Sequence, residues 1–202
     1  INIILKRRNS GGNFSVDLTN GINKIGTGDY NVSANYHFGS SSFKFMSNWE
    51  RRDLKWIREN VETFNGTATS LYNVETGLPT KVKYDRMNFL LGYDYSKNNN
   101  LLSINYRQSY MDMPYSISDR ESELTSAGQD YKISDHEKSR ENIPSLDIYY
   151  QTELAKGKNL FIDVVGTYIK TKNNRHFVQR GVNSVEEYAS QTKGDKYSLI
   201  AE

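Results

Sequence analysis

Tyr30-Asn31-Val32-Ser33-Ala34-Asn35-Tyr36-His37-Phe38 decides the fold class, with Gly39-Ser40-Ser41-Ser42 and Phe43-Lys44-Phe45 behind it. Tyr30, Val32, Ala34, Tyr36 and Phe38 fall at every second position, and Asn31, Ser33, Asn35 and His37 fill the gaps. Strand side chains point alternately to opposite faces, so this is a ribbon with one apolar and one wet side. The Gly-Ser stretch is a tight turn, and the segment after it resumes the alternation with Phe43, Phe45 and Trp49.

The same pattern recurs along the chain. Phe14, Val16 and Leu18 alternate with Ser15 and Asp17; Met87, Phe89, Leu91 and Tyr93 alternate with Asn88 and Asp94. Leu102, Ile104 and Tyr106 oppose Ser103, Asn105 and Arg107, and Leu146, Ile148 and Tyr150 oppose Asp147 and Gln151. The run at 160–169 is apolar on both faces in part, which leaves its register open. About eight strands are expected, near 12–19, 29–38, 42–51, 83–95, 101–111, 145–155, 159–170 and 195–202. The fold class is all-β: an antiparallel up-and-down sheet. Phe14, Val16, Tyr36, Phe89, Leu91, Leu102, Ile104, Leu146 and Ile148 should share one face. Asn31, Asn35, Asn88, Asn105, Asp147 and Gln151 should share the other.

Connections alternate in length. Those at 39–42, 96–100 and 155–159 are short and rich in Gly, Ser, Asn and Lys. Those at about 52–82, 112–144 and 171–194 are long and polar, and read as loops. Structureless loops of that length are uncommon in compact domains, whereas a membrane barrel has short turns on one end and long loops on the other. Strands of about 9–13 residues suit a tilted bilayer crossing. Tyr36, Phe38, Phe43, Phe45, Tyr93 and Tyr95 crowd the short-turn ends, where an interfacial aromatic girdle would lie.

Composition narrows the field. The 202 residues contain no Cys, which excludes a disulfide framework and thiolate metal sites. Lys and Arg number 26 against 24 Asp and Glu, too balanced for a nucleic-acid footprint. No run of about 18 apolar residues is present, so no transmembrane helix is expected. Ala occurs only 6 times against 61 β-branched and aromatic residues, which favours strands. Mean hydropathy is −0.75, as expected where half of each strand is wet and the connections are polar.

On these residues the chain resembles the TonB-dependent outer-membrane receptors. Ile1-Asn2-Ile3-Ile4-Leu5-Lys6-Arg7 resembles the last strand of that family's plug domain, and Gly11-Gly12-Asn13-Phe14-Ser15-Val16 the first barrel strand after it. Tyr30–Tyr36, the short turn and Phe43–Arg52 look like the second and third barrel strands of the Bacteroidetes-type branch. The resemblance implies residues 1–8 as the end of a plug and 9–202 as a partial barrel. It implies TonB-dependent uptake of a metal chelate, vitamin, peptide or glycan across the outer membrane of a Gram-negative bacterium. The implied partners are outer-membrane lipid, a nutrient ligand at extracellular loops, and TonB through a plug body that this chain lacks. The chain also lacks the terminal aromatic of a finished barrel, so an internal fragment is expected.

No catalytic, cofactor or metal residue is expected. His37, His136 and His176 are scattered, without ligand spacing. Asp112, Asp119, Glu121, Glu123, Asp130 and Asp135 lack calcium-loop spacing and read as a solvated loop. Glycosylation-type triplets at Asn13, Asn31 and Asn65 are chance in a bacterial barrel, and Lys6-Arg7-Arg8 reads as a solvated junction. Trp56, Tyr72, Tyr115 and Tyr131 are aromatics in polar loops; packing between loops is the expected role, and ligand stacking the other. Ligand-binding residues are not assigned. Two other functions remain open: a soluble secreted or periplasmic β-sandwich that binds glycans, and an outer-membrane enzyme, for which the scattered His give no support.

Overall fold

The computed structural model describes residues 10–22, 26–64, 71–155 and 157–202. The expected plug end at 1–8 and the Asn65 triplet lie outside the described residues. Among those described, every regular element is a strand: β1 Ser10–Asn20, β2 Gly28–Phe38, β3 Ser41–Trp56, β4 Glu59–Phe64, β5 Leu71–Gly77, β6 Thr80–Lys97, β7 Asn100–Tyr115, β8 Arg120–Ser126, β9 Gln129–Ala155, β10 Lys158–Arg180 and β11 Val185–Ala201. All belong to one antiparallel sheet, which does not close.

The body of the sheet runs β1-β2-β3-β6-β7-β9-β10-β11, each strand beside its neighbours in that sequence. These eight correspond to the eight strands read from alternation. Their short turns lie together at one end, the turn end. Gly39 and Gly157 have φ of 59° and 76°, and Asn98 and Asn99 have 49° and 63°. Left-handed backbone at both central residues, as at Asn98 and Asn99, is one tight two-residue hairpin pattern; in the Gly39-Ser40 turn Gly39 alone takes positive φ, the other pattern's demand.

The register places the alternation as expected. Across the sheet, Phe14 faces Ala34, Ala34 faces Phe45, Phe45 faces Leu91, Leu91 faces Tyr106 and Tyr106 faces Leu146. One residue along, Asn35, Lys44, Gly92, Asn105 and Asp147 form the matching row of the opposite face. Directly opposed residues share a face, so both face sets hold throughout. The ambiguous run resolves too: Leu160, Ile162 and Val164 join the apolar face, and Phe161 and Val165 the polar one.

The long connections differ from expectation: they are strand, not loop. β9 spans 27 residues and β10 spans 23. β10 and β11 pair without a break from Val164↔Ala201 to Arg180↔Val185. The other two connections contribute β4, β5 and β8; β4 pairs β5, β5 pairs β8, and β8 pairs the start of β9. These ribbons continue ladders already started in the body of the sheet, so alternation of apolar residues does not mark them in the sequence. The three added strands give 11 in place of about eight, and they form a head at the far end of the sheet.

Candidate functional site

On the polar face, side-chain hydrogen bonds cross from strand to strand. The row Asn31, Asn48, Asn88, Ser109 spans β2, β3, β6 and β7, and Asn48 donates to Asn31 Oδ1 at 2.7 Å. A cavity of about 620 Å³ opens here, with Met46, Asn48, Asn88, Arg107 and Ser109 in its lining. Toward the turn end, Lys44 Nζ lies 2.6 Å from Asp94, whose carboxylate also accepts from Ser103 at 2.7 Å. Toward the far end, Arg52 donates twice to Asp29, at 2.9 and 3.1 Å, and lies 3.3 Å from Glu50. Tyr84 donates to Glu50 at 2.8 Å. Burial, then that bond, pushes the Tyr84 phenol up. The cavity's exposed wall is nevertheless mainly apolar, with Met46, Leu90 and Ile143 beside a few amides, hydroxyls and Arg107, the usual mixture of a small-molecule pocket.

The head holds the most buried groups, and most are polar. Asp119 and Ser122 are almost wholly buried, as are Glu75 and Asp135. Glu75 accepts from Ser122 Oγ and from Arg120. Arg175 donates to both Asp135 oxygens, at 2.9 and 2.6 Å. Asp119 accepts from the Glu137 N–H at 2.8 Å. His136 stands between two carboxylates, 3.3 Å from Asp119 and 2.7 Å from Glu121. Burial raises the Asp119 carboxyl above its usual range, against the opposing pull of the Glu137 N–H and His136.

These positions correct the solvated-loop expectation for the acidic stretch. Asp112 pairs with Arg140 at 3.0 Å, Asp119 and Asp135 are buried, and Glu121 also accepts from Ser134 at 2.7 Å. Glu123, near Lys132 at 3.8 Å, and Asp130, bound by Thr125 at 2.7 Å, remain at the surface. Cross-strand pairing neutralises carboxylates that look free in the chain.

His136 and His176, 40 residues apart in sequence, are direct cross-strand partners. His176 meets Glu187 at 2.8 Å. His37 bonds Ser42 across the turn, at 2.8 Å. Among the described residues, no group of three or more His, Asp or Glu is placed to hold a metal ion. Lys81 lies 4.9 Å over the Tyr115 ring, Tyr131 donates to Gln129 at 2.6 Å, and Thr80 bonds the Trp56 carbonyl at 3.1 Å. Trp56, Tyr72, Tyr115 and Tyr131 all fall on strands β3, β5, β7 and β9 rather than in loops.

The apolar face is the other unusual surface. Phe14, Phe43 and Leu91 are each about half exposed or more, at 69%, 50% and 49%. Along β6 the band runs from Tyr95 to Met87, roughly 27 Å of strand. Aromatics edge it at both ends. Phe43 and Tyr93 meet at 5.1 Å near the turn end; Tyr30 and Trp49 meet at 5.3 Å near the far end. Beyond Trp49 the face turns charged at once: Arg51, Asp85, Asp112 and Arg140 form the next row. Trp49 Nε1 points at that row and donates to Asp85 at 3.1 Å.

No family model matches the chain, and no curated protein matches it.

Proposed function

We propose that the chain is a segment of an outer-membrane β-barrel receptor that takes up a nutrient ligand in a TonB-dependent manner. The observation that carries the barrel part of this reading is the exposed apolar band with aromatic edges, backed by a hydrogen-bonded polar face; TonB-dependent uptake rests on the resemblance of residues 1–7 and 11–16 to that family. A lipid-facing barrel wall has this form: an apolar belt of about 25 Å between aromatic girdles, and a polar interior. At a barrel tilt of 35–45°, roughly 27 Å of strand gives about 20 Å of height. In this reading lipid covers the apolar band, and the polar face lines a lumen. The ligand, a metal chelate, vitamin, peptide or glycan, meets the head and the cavity beside Arg107. TonB acts through a plug carried elsewhere in the parent protein. The activity is transport, not catalysis.

Refolding the chain with and without detergent tests this. The expected result is aggregation in buffer, and β-rich, protease-resistant protein in micelles or phosphatidylcholine vesicles. A monodisperse, cooperatively unfolding monomer without detergent would overturn the reading in favour of a soluble binding module.

A further inference from the structure

Arg140, Lys172 and Lys193 form one cross-strand row on β9, β10 and β11, each directly opposite the next. Like charges placed opposite each other destabilise a sheet. Lys170 stands one rung nearer the apolar band and Lys138 one rung beyond the row, on the same face. Two carboxylates answer these five cations: Asp112, 3.0 Å from Arg140, and Asp195, opposite Lys170. Asp195 also accepts from Tyr168 at 2.8 Å. Cations on an edge strand discourage strand addition, but Arg140 and Lys172 lie on inner strands, so that role does not explain them.

Two rungs below the row, past Lys170 and Asp195, Tyr168 and Tyr197 stack at 4.8 Å. Below them opens an apolar groove of about 370 Å³, with Leu146, Gly166 and Leu199 in its lining. Gly166 leaves its floor free, since a Cβ there would meet only Leu199, at 4.0 Å. Groove, aromatic pair and cations therefore follow one another along a single face. Lys172 lies four residues past Tyr168, roughly 13 Å along the strand and about 10 Å in height at a barrel tilt. The headgroup zone beyond the hydrocarbon is about 5–8 Å deep, and a bent lysine stem covers the remainder.

We propose that this surface binds an anionic phospholipid, its phosphate against Arg140, Lys172 and Lys193 and an acyl chain in the Gly166 groove. The assignment rests on the membrane reading and adds a lipid-selective site to it. The charge complementarity is to a phosphate, and the groove commits the site to a lipid rather than to a free anion.

The test uses the full chain in phosphatidylcholine vesicles with and without phosphatidylglycerol. Insertion is read by protease protection, and bound lipid by mass spectrometry after gentle extraction. Retention of phosphatidylglycerol over phosphatidylcholine is expected. It should fall about fivefold for each cation removed in the K172Q/K193Q variant, and Lys132→Gln, in the head, should leave it unchanged. Retention should also weaken as salt rises. Insertion without lipid preference, or equal retention by K172Q/K193Q, overturns the site and leaves the barrel reading standing. Inorganic phosphate displacing the lipid at equal concentration overturns it in favour of a free-anion site. Failure to insert in either vesicle overturns both.

Discussion

The turn-end half of the sheet and the head are built by opposite rules. In the turn-end half, large apolar side chains such as Phe14, Phe43 and Leu91 stand exposed along one face. In the head, Glu75, Asp119, Ser122 and Asp135 are buried, and among the described residues Val82, Ile133 and Val178 are the only buried hydrophobic ones. A water-soluble domain would reverse the first half. The difference teaches that one half leaves its apolar face uncovered, which the proposed barrel assigns to lipid, whereas the other satisfies its own polar groups.

The most severe way to break this contrast is to charge the middle of the apolar band. Leu91→Arg should cost about 2–4 kcal/mol in a bilayer, measured by urea titration of protein folded in vesicles. A change below about 0.5 kcal/mol would show that the face meets water. In the head, Ser122→Ala should cost about 1–3 kcal/mol, because Glu75 loses a buried donor; urea unfolding monitored by protease cleavage within β8 reads it. Arg175→Met leaves Asp135 buried beside a neutral side chain. With Arg175 half exposed, about 1–2 kcal/mol is expected, and the same urea series measures it.

The smallest effect concerns pH. The Asp119 carboxyl is raised in the folded state by burial, so the native head holds this proton more tightly than the unfolded chain does. Its contribution is fully present below the ordinary carboxylate pKa and is lost as pH rises through the raised value. Asp119→Asn keeps an acceptor for the Glu137 N–H and removes the proton. The slope of head stability against pH should therefore flatten just above the ordinary carboxylate range, read by hydrogen exchange at Glu137. An unchanged slope would show that the burial of Asp119 does not govern its titration.

The eight body strands were legible because one of their faces is apolar, which imposes period two on the sequence. The faces followed from the same rule: once Asn35 and Tyr36 take opposite faces, one-residue slips are excluded from β2 to β9, whereas the pairing within each row and the register of 160–169 came only with the structure. β4, β5 and β8 were not legible. Arg120-Glu121-Ser122-Glu123-Leu124-Thr125-Ser126 carries no apolar stripe, since both of its faces meet polar groups. One clue was present: Ala127-Gly128, both with positive φ, is the two-residue turn joining β8 to β9. The carboxylate cluster was hidden for another reason. Asp119 and His136 meet, as do Asp135 and Arg175, only once β8, β9 and β10 are in register.

The length of β9 has a mechanical consequence. Its 27 residues reach roughly 90 Å, beside β10 for almost their whole extent, with β7 and then β8 on the other flank. Tension along this spine loads its ladder in shear, so many hydrogen bonds must yield together. Tension across the sheet at β4 loads one bond at a time, and the hairpin of β4 and β5 peels. The head is thus stiff to an axial pull and compliant to a sideways one. An optical-tweezers experiment with handles at Gln129 of β9 and Ala201 of β11, near opposite ends of the sheet, then at β4 and β8, should find the first rupture force several-fold above the second.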